Sequence, residues 1–466
     1  MHLLTLNVTE LVIGLLRGNL KRSETDSLAD WDWACLRDDD IWQAHGKLVA
    51  QASLYLPGSF DRPPRNPAEK ISSGYKAWEF MYYVYGYLPG LLWAVQKPKY
   101  HSHLCKLVSG ARVALLVKTP VERRGPAHNL LVDYVEEFED SFYARRVDRL
   151  HFCRQALHGL THLMPENIRV GPAWLHSQWP LENAIGNLTA EIGSHSKPYE
   201  NLSLRGLRRA QISALVAMFP EALEKPTHLP RGSVVLGDEY ILMHPTARSP
   251  TLVPNGDARA LCAFLTSHTV RVPAGWRPRV TKWGRLRLPN GQIARTAWKE
   301  CQGERRGRPV HRARMVKVPI FFNLERCFGN SLACLIQFAD DRFGEIQYFF
   351  GLKKMHDDGG TDEVDMTLAM VSMFTQPDPA ILNDTHGALM ACRYQGDQSW
   401  EVVDVKDIIS VVAMVPLAPR REEAEDPHFA ELYTRRFFVV ERLGFDMSWI
   451  GREERAADED DEDGDA

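Results

Sequence analysis

A glutamate in the middle of the chain has the surroundings that metal or phosphate chemistry requires. Glu182 lies in the block Ser177-Gln-Trp-Pro-Leu-Glu-Asn-Ala-Ile-Gly-Asn187, where Pro180 suits the first turn of a helix. Helical spacing then stacks the carboxylate over Gly186 and Thr189, whose small side chains leave room for a metal ion or a phosphate backbone. On spacing alone a structural explanation is favoured, because a glutamate in a first helical turn also complements the helix dipole.

Three histidines form a second group that could bind a metal ion. His151, His158 and His162 lie on a helix that we predict from Val147 to about Met164. Their spacing places them near one face, but a metal site needs further ligands, which the sequence does not supply. Contacts between packed helices are therefore the favoured interpretation.

A basic segment in the second half of the chain combines cations with aromatic rings. Residues 271–317 contain fourteen lysines or arginines and two glutamates, together with Trp276, Trp283 and Trp298. Cations neutralise phosphates and rings stack on bases, so this composition suits a nucleic acid. The candidate contacts are Arg277, Arg279, Lys282, Arg285, Arg287, Arg305, Arg306, Arg308, Arg312 and Arg314. A solvated loop, or a partner for the acidic tail of the same chain, explains the segment equally well.

Clustered aspartates are the remaining candidates for cation binding. They occur at Asp30 and Asp32, in the run Asp38-Asp-Asp40, at Asp340-Asp341 and at Asp357-Asp358. Adjacent aspartates can hold magnesium, but solvated loops are the favoured interpretation. The sequence has no Walker loop, dinucleotide fingerprint, nucleophile elbow or zincin motif, so no small-molecule substrate is evident.

The elements that must position these groups divide the chain into a helical half and a β-rich half. Helix signals dominate residues 1–225, and a linker is predicted at 226–255. A compact β-rich domain is predicted at 256–451, with the basic segment inside it, and residues 452–466 form an acidic tail too poor in apolar residues to fold. Strands, some of them in the linker, are predicted at 233–236, 240–243, 316–322, 345–350, 400–403 and 437–441.

Two apolar faces in the helical half need packing partners. One lies on the helix that carries Glu182, and its spacing predicts a buried side formed by Leu181, Ile185, Leu188 and Ile192. The other opens the chain, and we expect it to be exposed unless further sequence covers it. That face consists of Leu3, Leu6, Leu11 and Leu15.

Composition points to an ordinary globular protein inside the cell. Of the 466 residues, 44% are hydrophobic and 25% are charged, as in soluble domains. The eight cysteines are scattered singly, which favours reduced thiols. The start of the chain lacks the features of a signal peptide. The longest uncharged run, residues 80–96, is predicted to be buried helix and turn, because it is shorter than the ~20 residues of a membrane span. We expect a nuclear or cytoplasmic location and no membrane contact.

Several segments together resemble the transposases of CACTA (En/Spm-type) DNA transposons, especially the fungal ones. The resemblance covers Met1 to about Glu224 and is weaker from there to about Gly451. The segments that carry it are Trp31-Asp-Trp-Ala-Cys-Leu36, Tyr55 to Lys70, Ser73 to Phe80, Arg149-Leu-His-Phe152 with His158, Gly171-Pro172 and Trp179 to Asn187.

This resemblance implies an α+β architecture built on part of an RNase H-like core. The mainly helical N-terminal half would be the remnant and the helical insertion of that core, followed by a compact β-rich domain and a disordered acidic tail. In such a core three carboxylates hold two Mg²⁺ or Mn²⁺ ions for strand cleavage and transfer. Met1-His2 is similar to the end of the family's Asp-x-Met-His motif, and Glu182 is the candidate third carboxylate and metal ligand. Asn183 stands where the family has an arginine, which removes a cation beside the acid.

The resemblance therefore predicts an origin in cut-and-paste DNA transposition without independent activity. Both catalytic aspartates are expected to lie before residue 1, so we expect a truncated chain that is inactive on its own. DNA at transposon ends is the expected partner, and self-association is a second option. The alternatives are a non-catalytic DNA-binding or protein-interaction module derived from a transposon, and a remnant without function.

Overall fold

The first half of the chain is helical, as the sequence predicts. The computed structural model describes residues 2–60, 63–173, 177–192, 196–219, 229–268, 270, 272–273, 275–305, 312–319, 341–353 and 365–444. The α-helices of the first half are α1 Val8–Arg17, α2 Asp39–Ala52, α3 Pro67–Lys70, α4 Ala77–Met81, α5 Leu88–Leu91, α6 Pro98–Ala114, α7 Val121–Phe138, α8 Gln155–Thr161, α9 Leu163–Val170, α10 Trp179–Ala190 and α11 Pro198–Met218. Shorter π-helical turns are Leu3–Asn7, Tyr82–Tyr87 and Glu139–Tyr143, and 3₁₀ turns are Leu28–Asp30, Ser53–Tyr55, Gly58–Phe60 and Val147–Phe152.

The apolar face at the start of the chain lies inside the core. Leu11 is fully buried and Leu15 is 4% exposed, in a cluster with side chains from other helices of the first half. Tyr85 holds the preceding turn by donating a hydrogen bond to the Leu4 carbonyl over 2.7 Å. The expectation that this face lacks a partner is therefore wrong, because the chain itself supplies the partners.

The uncharged run at residues 80–96 forms the centre of the helical region. Every residue of the turn Tyr82–Tyr87 is buried, and α5 follows it directly. This confirms the prediction of buried helix and turn. Among the described residues, none of the helices combines the length and apolar character that crossing a bilayer requires.

The helix predicted from Val147 to Met164 is instead three short pieces. The 3₁₀ turn Val147–Phe152 comes first, and α8 and α9 follow. In a 3₁₀ turn residues three apart line up, so Arg149 and Phe152 both enter the core, where they are 3% and 1% exposed. The Arg149 guanidinium meets the Asp26 carboxylate there, with Nη2 to Oδ1 at 2.6 Å and Nε to Oδ2 at 2.8 Å. The single-helix prediction is therefore wrong, and this buried contact accompanies the 3₁₀ turn that replaces the start of the predicted helix.

The second half of the chain is rich in strands. This confirms the predicted change from helices in the first half to strands in the second. The strands are β1 Val234–Gly237, β2 Tyr240–Thr246, β3 Thr251–Leu252, β4 Arg279–Val280, β5 Lys282–Arg287, β6 Ile293–Arg295, β7 Met315–Pro319, β8 Asp341–Lys353, β9 Asp365–Met373, β10 Ala391–Arg393, β11 Trp400–Asp404, β12 Ser410–Val411, β13 Ala413–Pro416 and β14 Arg436–Val440. The helices among them are α12 Asn255–Ser267, α13 Ala297–Arg305, α14 Pro379–Asp384, α15 Arg421–Ala424 and α16 Phe429–Leu432, with 3₁₀ turns Gly396–Ser399 and Val405–Asp407.

The long strand β8 organises the largest antiparallel sheet. Among the described residues this sheet has nine strands, in which β8 pairs with β9 along one edge and with β7 and β5 along the other. One face of β8 buries Ile346 and Phe349 in a first apolar cluster. The opposite face buries Tyr348 and Phe350 in a second cluster, to which α12 contributes. Both faces are therefore covered by packed side chains.

A small sheet of order β10-β14-β13 joins the two halves of the molecule. Its residues Val415, Phe438 and Val440 belong to the same apolar cluster as the N-terminal helices. The approach is close at Gly90, where an added Cβ would lie 2.5 Å from the Phe438 ring. The predicted domain boundaries at 225 and 255 stay predictions, and the acidic tail 452–466 lies outside the described residues.

Candidate functional site

Glu182 lies in the first turn of α10, where the sequence predicts it. Its carboxylate side chain is 50% exposed, and Gly186 and Thr189 beside it are exposed as well. A Cβ built on Gly186 would meet no described atom within 4 Å. The open space expected next to the carboxylate is therefore present.

The predicted buried face of this helix is wrong. No residue of α10 is buried, and the Leu181 and Ile185 side chains are 61% and 50% exposed. Only Trp179, at the helix start, packs against the apolar core of the first half. Helical periodicity indicates which residues share a face, but it does not indicate whether another element covers that face.

His2 lies close to Glu182, although 180 positions separate them in the sequence. His2 Nε2 is 4.0 Å from Glu182 Oε1, and both side chains are about half exposed. The turn Leu3–Asn7 holds His2 there, because the Leu3 side chain contacts α8 at Gly159. Donor atoms about 2.0–2.2 Å from one metal ion are about 3–3.5 Å apart. A side-chain shift of less than about 1 Å would let both groups reach one cation.

A larger metal site is not assembled around this pair. Among the described residues there is no group of three or more histidine, cysteine, aspartate or glutamate side chains that could hold an ion. Asp32 binds Lys97 and Tyr100, and Asp38 caps α2 by accepting from two backbone amides. These two aspartates therefore have structural roles, while Asp340, Asp357 and Asp358 lie outside the described residues.

The three candidate histidines are divided between two different settings. His158 Nε2 and His162 Nε2 are 3.0 Å apart on the exposed side of α8. His151 instead hydrogen-bonds through Nε2 to the backbone carbonyl of Lys21. The structure therefore does not bring the three imidazoles to one point.

Some cations of the basic segment have partners inside the protein. Arg314 pairs with Glu345 at 2.6 Å and with Glu300 at 3.4 Å. The Lys282 ammonium lies 3.9 Å from the centre of the Tyr348 ring, and burial lowers the pKa of this lysine. Both cations are therefore engaged inside the β-rich half, and their assignment to a nucleic-acid contact stays a prediction.

Other cations of the same segment face outward. Arg277, Arg279 and Arg287 are exposed. Arg285 lies directly opposite Arg295 on the neighbouring strand, and both are half-buried. Of the remaining candidates, Arg312 stacks over an aromatic ring, while Arg306, Arg308 and the side chain of Arg305 lie outside what the structure describes.

The acidic partners of Arg314 are residues that the sequence reasoning missed. Glu300 is 5% exposed, and burial raises the pKa of its carboxyl to about 7. Glu345 is 8% exposed and accepts hydrogen bonds from Arg314 and from the Tyr394 hydroxyl. No local pattern marks either glutamate, because their partners Arg314 and Tyr394 lie elsewhere in the sequence.

Comparison with known proteins yields no relative. No family model, no curated protein and no solved structure matches the chain. The resemblance to CACTA transposases therefore stays a prediction.

Proposed function

We propose that the chain is a transposase-derived protein related to the CACTA (En/Spm-type) transposases. In this proposal His2 and Glu182 belong to an RNase H-like catalytic centre for DNA strand cleavage and transfer. The supporting observation is their 4.0 Å approach across 180 positions of sequence. The resemblance treats the same two residues as two sides of one centre, and the fold brings them together without any local reason to do so.

The donor groups do not form a complete two-metal site. Mg²⁺ prefers six ligands, mostly oxygen, and a two-ion clamp needs several carboxylates. One carboxylate and one imidazole, within the described residues, are too few. We therefore derive no catalytic step through a metal ion and expect no strand cleavage from this chain alone.

Exposed apolar residues beside Glu182 support a centre that is completed by another partner. On α10 these are Leu181 and Ile185, and α11 also exposes Leu207, Ile212 and Leu215, all at least half exposed. Exposed apolar patches commonly mark interaction sites. A further protein surface packed there would lie next to the Glu182 carboxylate.

Manganese binding and DNA cleavage test the proposal together. Electron paramagnetic resonance should detect one weak Mn²⁺ site that Glu182→Gln removes. Glu122→Gln is the matched control, because Glu122 is also an exposed glutamate in the first turn of a helix. Both substitutions should change stability by a similar ~0.3–1 kcal/mol through the helix dipole, whereas only the first should affect Mn²⁺. Cleavage of transposon-end DNA by the purified chain, or Mn²⁺ binding unchanged in Glu182→Gln, would contradict the proposal.

A second candidate function is a DNA-binding module without catalysis. The specific observation is the outer face of β5 and β6, where Arg285 and Arg295 are direct cross-strand neighbours and Arg287 follows on the same face. Arg287 is exposed at this face, where a phosphate can reach its guanidinium.

Fluorescence anisotropy at several salt concentrations tests this second function. The double substitution Arg279→Ala and Arg287→Ala should reduce the slope of log affinity against log salt by about 0.9 for each lost phosphate contact. Arg421→Ala is the control, since Arg421 is an exposed arginine paired with Glu425 outside the basic segment. An identical slope in wild type and double variant would exclude Arg279 and Arg287 as DNA contacts.

A further inference from the structure

A cavity lies at the meeting point of the helical and β-rich halves. Its volume is about 320 Å³, within the range of small-ligand sites. Its walls are aromatic rings and methionines, namely Tyr55, Phe374, Tyr394, Phe437, Met315 and Met414. Tyr55 comes from the turn after α2, while the others come from the second half, so the cavity depends on both halves being folded.

The charged groups at the base of the cavity already have hydrogen-bond partners within the protein. Glu345 Oε1 accepts from Arg314 Nε over 2.6 Å, and Oε2 accepts from the Tyr394 hydroxyl over 2.6 Å. Arg314 also reaches Glu300 at 3.4 Å. Hydrogen bonds to both oxygens of the Glu345 carboxylate fix the positions of Arg314 and Tyr394. The base of the cavity is therefore preorganised, and the charges of Glu345 and Arg314 need no additional counter-ion.

Arg312 supplies the positive charge that remains for a ligand. Its guanidinium lies over the Tyr55 ring, 4.4 Å from the ring centre, and the side chain is half-buried at the cavity wall. Among the described residues it forms no ion pair with a carboxylate. The guanidinium is planar by resonance and the ring restricts its orientation, which suits bidentate binding of a phosphate or carboxylate.

We propose that this cavity binds a nucleotide, with the base between the aromatic and methionine walls and the phosphate on Arg312. Stacking on aromatic side chains is worth about 1–3 kcal/mol per base and tolerates any base. The nucleotide can be a free monophosphate or one residue of a single DNA strand, because both present the same ring and anion. The site uses neither His2 nor Glu182, so it goes beyond the proposed function and does not depend on it.

Methyl resonances of Met315 and Met414 are direct reporters, because both side chains line the cavity. Titration of the ¹³C-methyl-methionine-labelled protein with dAMP should shift both resonances. Deoxyadenosine, which lacks the phosphate, should bind at least about tenfold more weakly, since a hydrogen bond to a charged group is lost. A (dA)₆ oligonucleotide separates the two sources of ligand. If the oligonucleotide binds more tightly than dAMP, the ligand is a single DNA strand. If it binds more weakly, the ligand is a free nucleotide.

Two variants locate the binding site independently. Arg312→Met should weaken dAMP binding at least about tenfold, and Arg421→Met should leave it unchanged. Met414→Trp should block binding by filling the cavity while it keeps every charge, which covers the case in which the Arg312 variant is unstable. Glu182→Gln should bind dAMP normally, which separates this proposal from the proposed function. Absence of methyl shifts with both dAMP and the oligonucleotide would overturn the proposal, as would binding that survives both cavity variants.

Discussion

Replacement of Arg149 by methionine should be among the most destabilising single changes in the helical half. The Arg149 guanidinium meets the Asp26 carboxylate with two bonds of 2.6 and 2.8 Å, and the Trp31 indole N–H donates to the same carboxylate. Arg149 and Asp26 are 3% and 4% exposed. The guanidinium also lies 5.1 Å from the Trp33 ring centre. The substitution would therefore leave a buried carboxylate with one neutral donor and one more distant cation, Arg146, whose Nη2 is 3.4 Å from Asp26 Oδ1.

The expected cost follows from that geometry. Removing one partner of a buried ion pair typically costs about 3–5 kcal/mol, and we expect the lower end of that range because Arg146 still pairs with Asp26. The matched control is Arg145→Met, since the Arg145 and Asp140 side chains are 75% and 71% exposed and form an ion pair at 3.5 Å. An exposed pair contributes about 0–1 kcal/mol. Urea unfolding followed by far-ultraviolet circular dichroism should separate the two variants clearly.

The pH dependence gives a second measurement of the same interaction. The hydrogen bond from Arg149 is the main reason why the pKa of Asp26 is lowered. A carboxyl whose pKa is lower in the folded protein stabilises it above the ordinary value of about 3.9, and this contribution is lost as the pH falls. Arg149→Met should therefore be less sensitive to acid than wild type. Equal costs for Arg149→Met and Arg145→Met, with unchanged acid sensitivity, would refute the reasoning.

Three further predictions concern other parts of the molecule. Burial raises the Glu300 pKa to about 7. The protonated carboxyl therefore contributes its full stability below pH about 4.3, and this contribution is lost as the pH rises to about 7. Glu300→Gln should make the free energy of unfolding less dependent on pH in that window. Gly90→Ala should lower the melting temperature, because its Cβ would lie 2.5 Å from a facing ring, whereas exposed Gly125→Ala in α7 should stabilise by about 0.5–1 kcal/mol. Leu207→Glu with Ile212→Glu should reduce self-association in sedimentation velocity, because both side chains are exposed apolar groups; an unchanged sedimentation profile would exclude α11 as the contact.

Elements whose causes are local could be predicted from the sequence. Pro180 begins a helix because its fixed backbone suits a first turn, and α10 begins beside it. The predicted strand at residues 345–350 lies within β8, because Ile346 and the aromatic residues that follow it favour extended backbone. In both cases the signal lies within a few residues of the element itself.

Features that depend on distant partners could not be predicted in the same way. Arg314 was assigned to DNA because fourteen cations crowd the segment 271–317, yet its partner Glu345 lies 31 positions away on another strand. The same limit explains the error on α10, since Leu181 has helical spacing but no element covers it.

The pairing of His2 with Glu182 differs from both cases. Neither residue marks the other by composition or periodicity, and only the resemblance to a transposase motif placed them at one centre. Their 4.0 Å separation has no stabilising explanation, because the contact is half exposed and longer than a hydrogen bond. A half-exposed contact of this length contributes only about 0–1 kcal/mol to stability, and the distance alone assigns no role to the pair. The proposed binding role predicts that Glu182→Gln and Glu122→Gln give the same stability but different Mn²⁺ binding.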